Sequence, residues 1–187
     1  NLLANYVLPS VKNLNELNQY SRIENLNGIQ YRVPKDAIFD GESKGTYQDI
    51  RHYKKGAIIF SVSTINLANN PYARNFMIDG HYNFNRELRS FWDIYRYHPT
   101  PDYINYSVVW NNNIPGLSIH SYEPYRDNHI LNFESYDGTY HFIYIIFYPK
   151  FLSADEVQKL RNMIEFFDST NNPEFKLQQH VVFPENR

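Results

Sequence analysis

Histidine is the side chain best suited to proton or metal chemistry near neutral pH. This chain has seven: His52, His81, His98, His120, His129, His141 and His180. Three of them crowd together in the C-terminal half. His120 lies on one strand candidate, His129 just past the next turn, and His141 on the strand that follows. Antiparallel neighbours bring such positions across from one another, so His120, His129 and His141 are a candidate cross-strand metal site. A metal held there would activate water, as a hydrolase requires. The plainer reading is ordinary surface or half-buried histidines, because no second shell shows itself in the sequence. His120 and Glu123 are three apart, which on a strand puts them on opposite faces.

Two further groups are candidates for binding. Arg86, Arg89 and Arg96, with Arg74, are the densest arginine set. They are a candidate anion patch, or a solvated helix face balanced by Glu87 and Asp93. The chain also carries 17 tyrosines and 13 phenylalanines. Tyr122, Tyr125, Tyr136 and Tyr140, with Trp110 nearby, are a candidate stacking surface for a sugar or a protein partner. In strands, such residues otherwise fill the core.

Several chemistries have no support. There is no Gly-x-Ser-x-Gly elbow, phosphate loop, dinucleotide fingerprint or His-Glu-x-x-His. Asp36 and Asp40 are paired only in a polar stretch, and Asp155-Glu156 is accounted for by helix capping. The chain has no cysteine, which removes thiolate nucleophiles, disulfides and zinc–cysteine sites. No cofactor is implied. With a net charge of -2 and scattered cations, nothing argues for nucleic acid. No apolar run reaches the roughly 18 residues a membrane span needs. The chain begins at Asn1 rather than Met, which leaves room for a targeting segment or lipid anchor upstream.

The elements that must position these side chains follow from periodicity. From His141 to Tyr148 every residue is aromatic or β-branched, so this strand belongs inside a sheet, covered at least on the aliphatic face of Ile143, Ile145 and Phe147. Pro149 stops it. Ser153 and Glu156 form a capping box for a helix with Val157, Leu160, Ile164 and Phe167 inward, ended by Asn171-Asn172-Pro173. Upstream, residues 1–9 read as a loose leader, and Ser10 as the cap of a short helix bearing Val11, Leu14 and Leu17. Asn27-Gly28 is a turn into the strand Ile29–Pro34. Lys35 to Gly45 reads as a loop, Thr46–Tyr53 and Ala57–Ile65 as strands, and Asn83–Tyr97 as a second helix. Strands follow at Tyr103–Trp110, Leu117–Tyr122 and Ile130–Ser135, with a tight hairpin at Tyr136-Asp137-Gly138. Residues 171–187 form a tail. Strands in hairpins rather than alternating with helices indicate a single α+β domain over 1–187, an antiparallel β-sheet flanked by helices.

Gly28-Ile29-Gln30-Tyr31-Arg32-Val33-Pro34 resembles the first strand of PsbP-like domains, a group that includes the Mog Ran-binding protein and bacterial DcrB-like lipoproteins. The closing aromatic strand and the Ser-initiated helix ending in Phe-Phe-Asp-Ser resemble that group's last strand and helix. The resemblance covers roughly Asn27 to Val62 and Asp137 to Thr170, and the middle departs from it. It implies an αβα sandwich and no common activity, since members mostly bind or assist assembly. The expectation is a non-catalytic binding or assembly domain of the bacterial cell envelope, a lipoprotein when intact, with a protein, small-molecule or carbohydrate partner. The alternative is a metal-dependent or other hydrolase using the meander histidines; a GTPase-partner role by analogy with the Mog protein ranks below both.

Overall fold

The computed structural model describes residues 5–7, 13–79, 81–86, 88–89, 104–123, 127–175 and 181–182. In chain order the elements are β1 (Asn5–Val7), α1 (Leu14–Tyr20), β2 (Ser21–Leu26), β3 (Ile29–Pro34), β4 (Ile38–Lys44), β5 (Gln48–Lys55), β6 (Ile58–Asn66), β7 (Met77–Ile78), β8 (His81–Asn83), β9 (Asn105–Asn111), β10 (Ile114–Glu123), β11 (Asn128–Tyr136), β12 (Tyr140–Pro149), α2 (Ala154–Ile164), β13 (Asp168–Ser169) and β14 (Val181–Val182). Among the described residues the main sheet is open and has eight strands, in the order β1-β9-β10-β11-β12-β6-β5-β4. Every neighbour pair is antiparallel except β1 with β9. Two smaller sheets, β13-β3-β2 and β14-β8-β7, accompany it. The fold is α+β, built mainly on antiparallel sheet.

Two hairpin trains, β4-β5-β6 and β9-β10-β11-β12, meet where β12 pairs with β6. Strand β12 therefore lies inside the sheet, as its apolar run predicts. Its buried face is the reverse of the expected one. Phe142, Tyr144, Ile146 and Tyr148 are buried, while Ile143, Ile145 and Phe147 are only half-buried. The reason is that the phenol groups find partners under the cover. The Tyr144 hydroxyl donates to the Arg32 carbonyl at 2.7 Å, and the Tyr148 hydroxyl lies 2.7 Å from His120 Nε2. A tyrosine whose hydroxyl is bonded packs as an aromatic ring.

That face is covered by α2 and the β2–β3 hairpin. The capping box of Ser153 and Glu156 starts α2, and Leu160, Met163 and Ile164 are its buried stripe. The helix ends at Ile164 rather than at Asn171, so that Asp168 and Ser169 can pair with β3. Phe167 still enters the core from beyond the helix, its ring 5.2 Å from Phe142. Asn27 (φ 52°) and Gly28 (φ 81°) make the left-handed turn that joins β2 to β3. Strand β2 carries too little alternation to announce itself. Arg22 fastens it by donating to the carbonyls of Pro34, Lys35 and Ala37.

The other face is covered at one end by a second core of Tyr82, Phe84, Leu88, Ile104, Tyr106, Val108, Leu117 and Ile119. Residues 84–86 and 88–89 of the expected second helix are helical; the remainder, with Arg96, lies outside the described residues. Four more expectations change. The cap of α1 is Asn13, whose side chain accepts from the Glu16 amide; Ser10 is outside the described residues. The expected loop at 35–45 contains β4, an exposed edge strand held by its pairing with β5. The expected leader supplies β1, and Val181–Val182 of the tail pairs parallel with β8. Such short strands carry no local signal, because their partners stabilise them. No described helix is long and apolar enough to cross a membrane.

One buried carboxylate ties the tail to the sheet. Asp137 Oδ1 accepts from the amides of Thr139 and Tyr140, and Oδ2 accepts from Ser169 Oγ and Asn171 Nδ2. Replacing Asp137 with Ala strands these donors and should cost about 3 kcal/mol or more in a urea melt; a loss under about 1 kcal/mol would refute the role given to it. Gly116 faces Phe133 so closely that an added Cβ would lie 2.2 Å from its Cζ. Gly116→Ala should therefore destabilise by roughly 1–3 kcal/mol, read as a lower thermal midpoint.

Candidate functional site

A group of titratable side chains lies at one end of the helix-covered face. Register places it there. Tyr122 on β10 stands opposite His129 on β11, and His129 stands opposite Tyr148 on β12. His120 is two residues from Tyr122 and so shares its face. The His120 and His129 rings are 5.4 Å apart, and His129 stacks on Tyr148 at 5.2 Å with 16° between planes. The Tyr122 hydroxyl donates to the Asp127 carboxylate, which also meets Lys150 Nζ at 3.0 Å.

Electrostatics then decides what the group can do. Burial pushes the His120 imidazole down to about 4, helped by the charges of His129 and Arg161. His129 is lowered too, chiefly by burial, with Asp127 opposing. Tyr148 is pushed up to about 12 by burial, with Arg161 opposing. At neutral pH, then, His120 is a neutral imidazole beside a protonated phenol. In the Nδ1–H tautomer the phenol donates to Nε2. General acid–base catalysis wants groups poised near the working pH. This pair is displaced from neutrality in both directions, which suits a structural or ligand-contacting hydrogen bond better than proton transfer. Asp127 is lowered by the Tyr122 hydrogen bond first and by Lys150 second.

His141 does not join the other two histidines. It lies seven residues before Tyr148 on the same strand, an odd separation, so it points through the opposite face. There it pairs with a different carboxylate: His141 Nε2 and Glu134 Oε1 are 3.1 Å apart, with side chains 0% and 2% exposed. The rings of Phe76 and Tyr82 each lie 5.0 Å from it. The expected triad of His120, His129 and His141 is thus divided between the faces, and among the described residues no group of three or more metal-ligating side chains comes together.

The expected aromatic surface is divided in the same way. Tyr122 sits with the histidines. Tyr140 packs against the helix-side core at the other end of β12. Tyr136 and Trp110 pack against the second core on the opposite face, Tyr136 stacked on Tyr82 at 5.4 Å. Tyr125 lies outside the described residues. Arg86 and Arg89 are exposed, and the Arg86 guanidinium lies 5.1 Å from the centre of the Phe76 ring. Arg74 is exposed on a short 3-10 turn. Sequence reasoning missed Tyr148 as the partner of His120 and Glu134 as the partner of His141. Counting outward from the hairpin turn at 137–139 pairs His129 with Tyr148 and Glu134 with Ile143, and that signal was present.

The shift on His120 has a definite sign. Its folded value lies below the ordinary histidine value, so protonation favours unfolding. The stability it contributes is complete above about pH 6.5 and is lost as the pH falls toward about 4. Urea melts of the wild type should lose on the order of 2–3 kcal/mol across that window, and His120→Gln should flatten the slope. An unchanged slope in the variant would place the acid sensitivity elsewhere.

Comparison with protein-family models gives no match, and comparison with curated proteins gives none either.

Proposed function

We propose that this chain is a non-catalytic binding or assembly domain of the bacterial cell envelope, a lipoprotein when intact, with the sandwich arrangement of the PsbP-like group. The envelope and lipoprotein parts rest on the resemblance at the two ends of the chain. The helix that follows the central strand β12 and packs across an antiparallel sheet supports the sandwich reading.

The binding part is carried by one observation. On the face away from α2, register sets Ile130 of β11, Phe147 of β12 and Ile59 of β6 in one transverse row. Ile59 is 49% exposed, and Ile130 and Phe147 are half-buried. None of the three belongs to either buried core. Beyond them Lys54 and then Ile38, 61% exposed, continue the row to the β4 edge. An apolar row of this kind on a sheet face suits a protein partner. The opposing displacements of His120 and Tyr148, and the sealing of His141 with Glu134, support a non-catalytic role.

Immobilised protein should retain a partner from envelope extract, and Ile59→Asp should lower that retention about tenfold, the loss expected of a central contact, without shifting the thermal midpoint. Equal retention by both proteins would remove the sheet row from the argument, and a wholly cytoplasmic location of the intact protein would remove the envelope. Stoichiometric zinc or iron in the purified protein would favour the hydrolase instead.

A further inference from the structure

We infer that a cleft beside the first turns of α2 binds a small amphiphilic anion, a carboxylate carried on a short alkyl or aryl tail. The cleft opens on the helix side of the sheet, away from the Ile59 row. Its floor is apolar: Ile58 from β6 and Leu152, Leu160 and Met163 from α2 and its approach. Its volume is about 180 Å³. An apolar cavity of roughly 150 Å³ admits benzene, so the space suits one ring or a short chain.

The rim sets the sign of the ligand. Lys55 and Lys159 both line the opening, and Lys159 Nζ stands 5.8 Å from the centre of the Tyr20 ring on the wall. Each lysine also meets an acid that is not part of the cleft lining. Lys55 lies 3.2 Å from Asp36 and Lys159 lies 3.6 Å from Asp155, with all four side chains well exposed. Exposed pairs of this sort contribute little, so either ammonium can exchange its partner for a ligand carboxylate at small cost. Glu156 also lines the cleft, and its carboxylate is held in the capping box at the start of α2. Its carboxylate accepts from the Ser153 hydroxyl at 3.0 Å and from the Ser153 amide at 3.4 Å. Two ammonium groups with exchangeable partners, beside an apolar floor, suit a ligand with one negative end and one greasy end.

The test uses hexanoate and benzoate as probes, with hexylammonium as the control, followed by methyl NMR of Ile58, Leu152, Leu160 and Met163. Either acid should shift these methyls saturably at millimolar concentration, and hexylammonium should not. Charge reversal in Lys55→Glu/Lys159→Glu should weaken binding at least tenfold with an unchanged thermal midpoint. Leu152→Trp should block the cleft and abolish the shifts. If the reversed variant is less stable, Lys159→Ala alone should still weaken binding severalfold. No saturable shift with either acid, an equal response to hexylammonium, or binding indifferent to the lysines would overturn the inference. Such a failure would leave the sheet-face reading intact, because Ile59 lies on the other side.

Discussion

The carboxylate of Asp137 is 1% exposed and accepts hydrogen bonds from the backbone of one hairpin and the side chains of the C-terminal segment. It sits in the turn that pairs Tyr136 with His141. A side-chain period of two means that a slip of one residue at this turn would exchange the faces of β11 and β12. Phe142, Tyr144 and Ile146 would then leave the core, and the isoleucines would replace them. The Asn172 side chain adds a bond to the Asp137 carbonyl at 3.0 Å. One acid therefore holds the register of the central strands and the path of the chain beyond α2.

Placing tyrosines rather than isoleucines beneath the helix has consequences through the whole layer. Each buried hydroxyl must find a partner or lose the free energy of desolvation. Tyr31 and Tyr53 join hydroxyls at 2.7 Å, Tyr144 donates to the backbone of β3, and Tyr148 meets His120. The first two bonds attach the small β2–β3 sheet to the large one at fixed points, which aliphatic contact alone would not do, and the third joins β12 to β10 within the large sheet. The same burial moves the ionisation of His120 and Tyr148 apart. Polarity within the helix-side core thus serves orientation, and on β12 and β6 the less buried apolar side chains, Ile59, Ile143, Ile145 and Phe147, lie on the far side.

The two faces consequently offer different things to other molecules. The helix side presents a narrow cleft with ammonium groups at its rim and methyl groups at its base. The opposite side presents a transverse apolar row of Ile130, Phe147 and Ile59, separated by Lys54 from Ile38 at the β4 edge. The Glu134–His141 pair belongs to neither, being sealed among Phe76, Tyr82 and the strands. A buried pair of this kind stabilises little relative to an apolar replacement, though loss of one partner is costly.

Local chemistry made much of the fold legible in advance. The capping box at Ser153, the turn at Asn27-Gly28, the hairpin at Asp137 and the interior position of β12 each rest on residues within a few positions of one another. Periodicity likewise marked Leu160, Ile164 and Phe167 as core. Strands β1, β4, β13 and β14 were illegible because an edge or short strand is held by its partner, and its own residues need no pattern. The histidines show the same division. Their nearness in sequence belonged to the chain alone. Which of them meet was decided by register across three strands, where an odd separation on β12 sends His141 and Tyr148 to opposite faces. The identity of the buried face of β12 was likewise a tertiary matter, since both faces are apolar enough to bury and only the hydrogen-bond partners under the helix distinguish them.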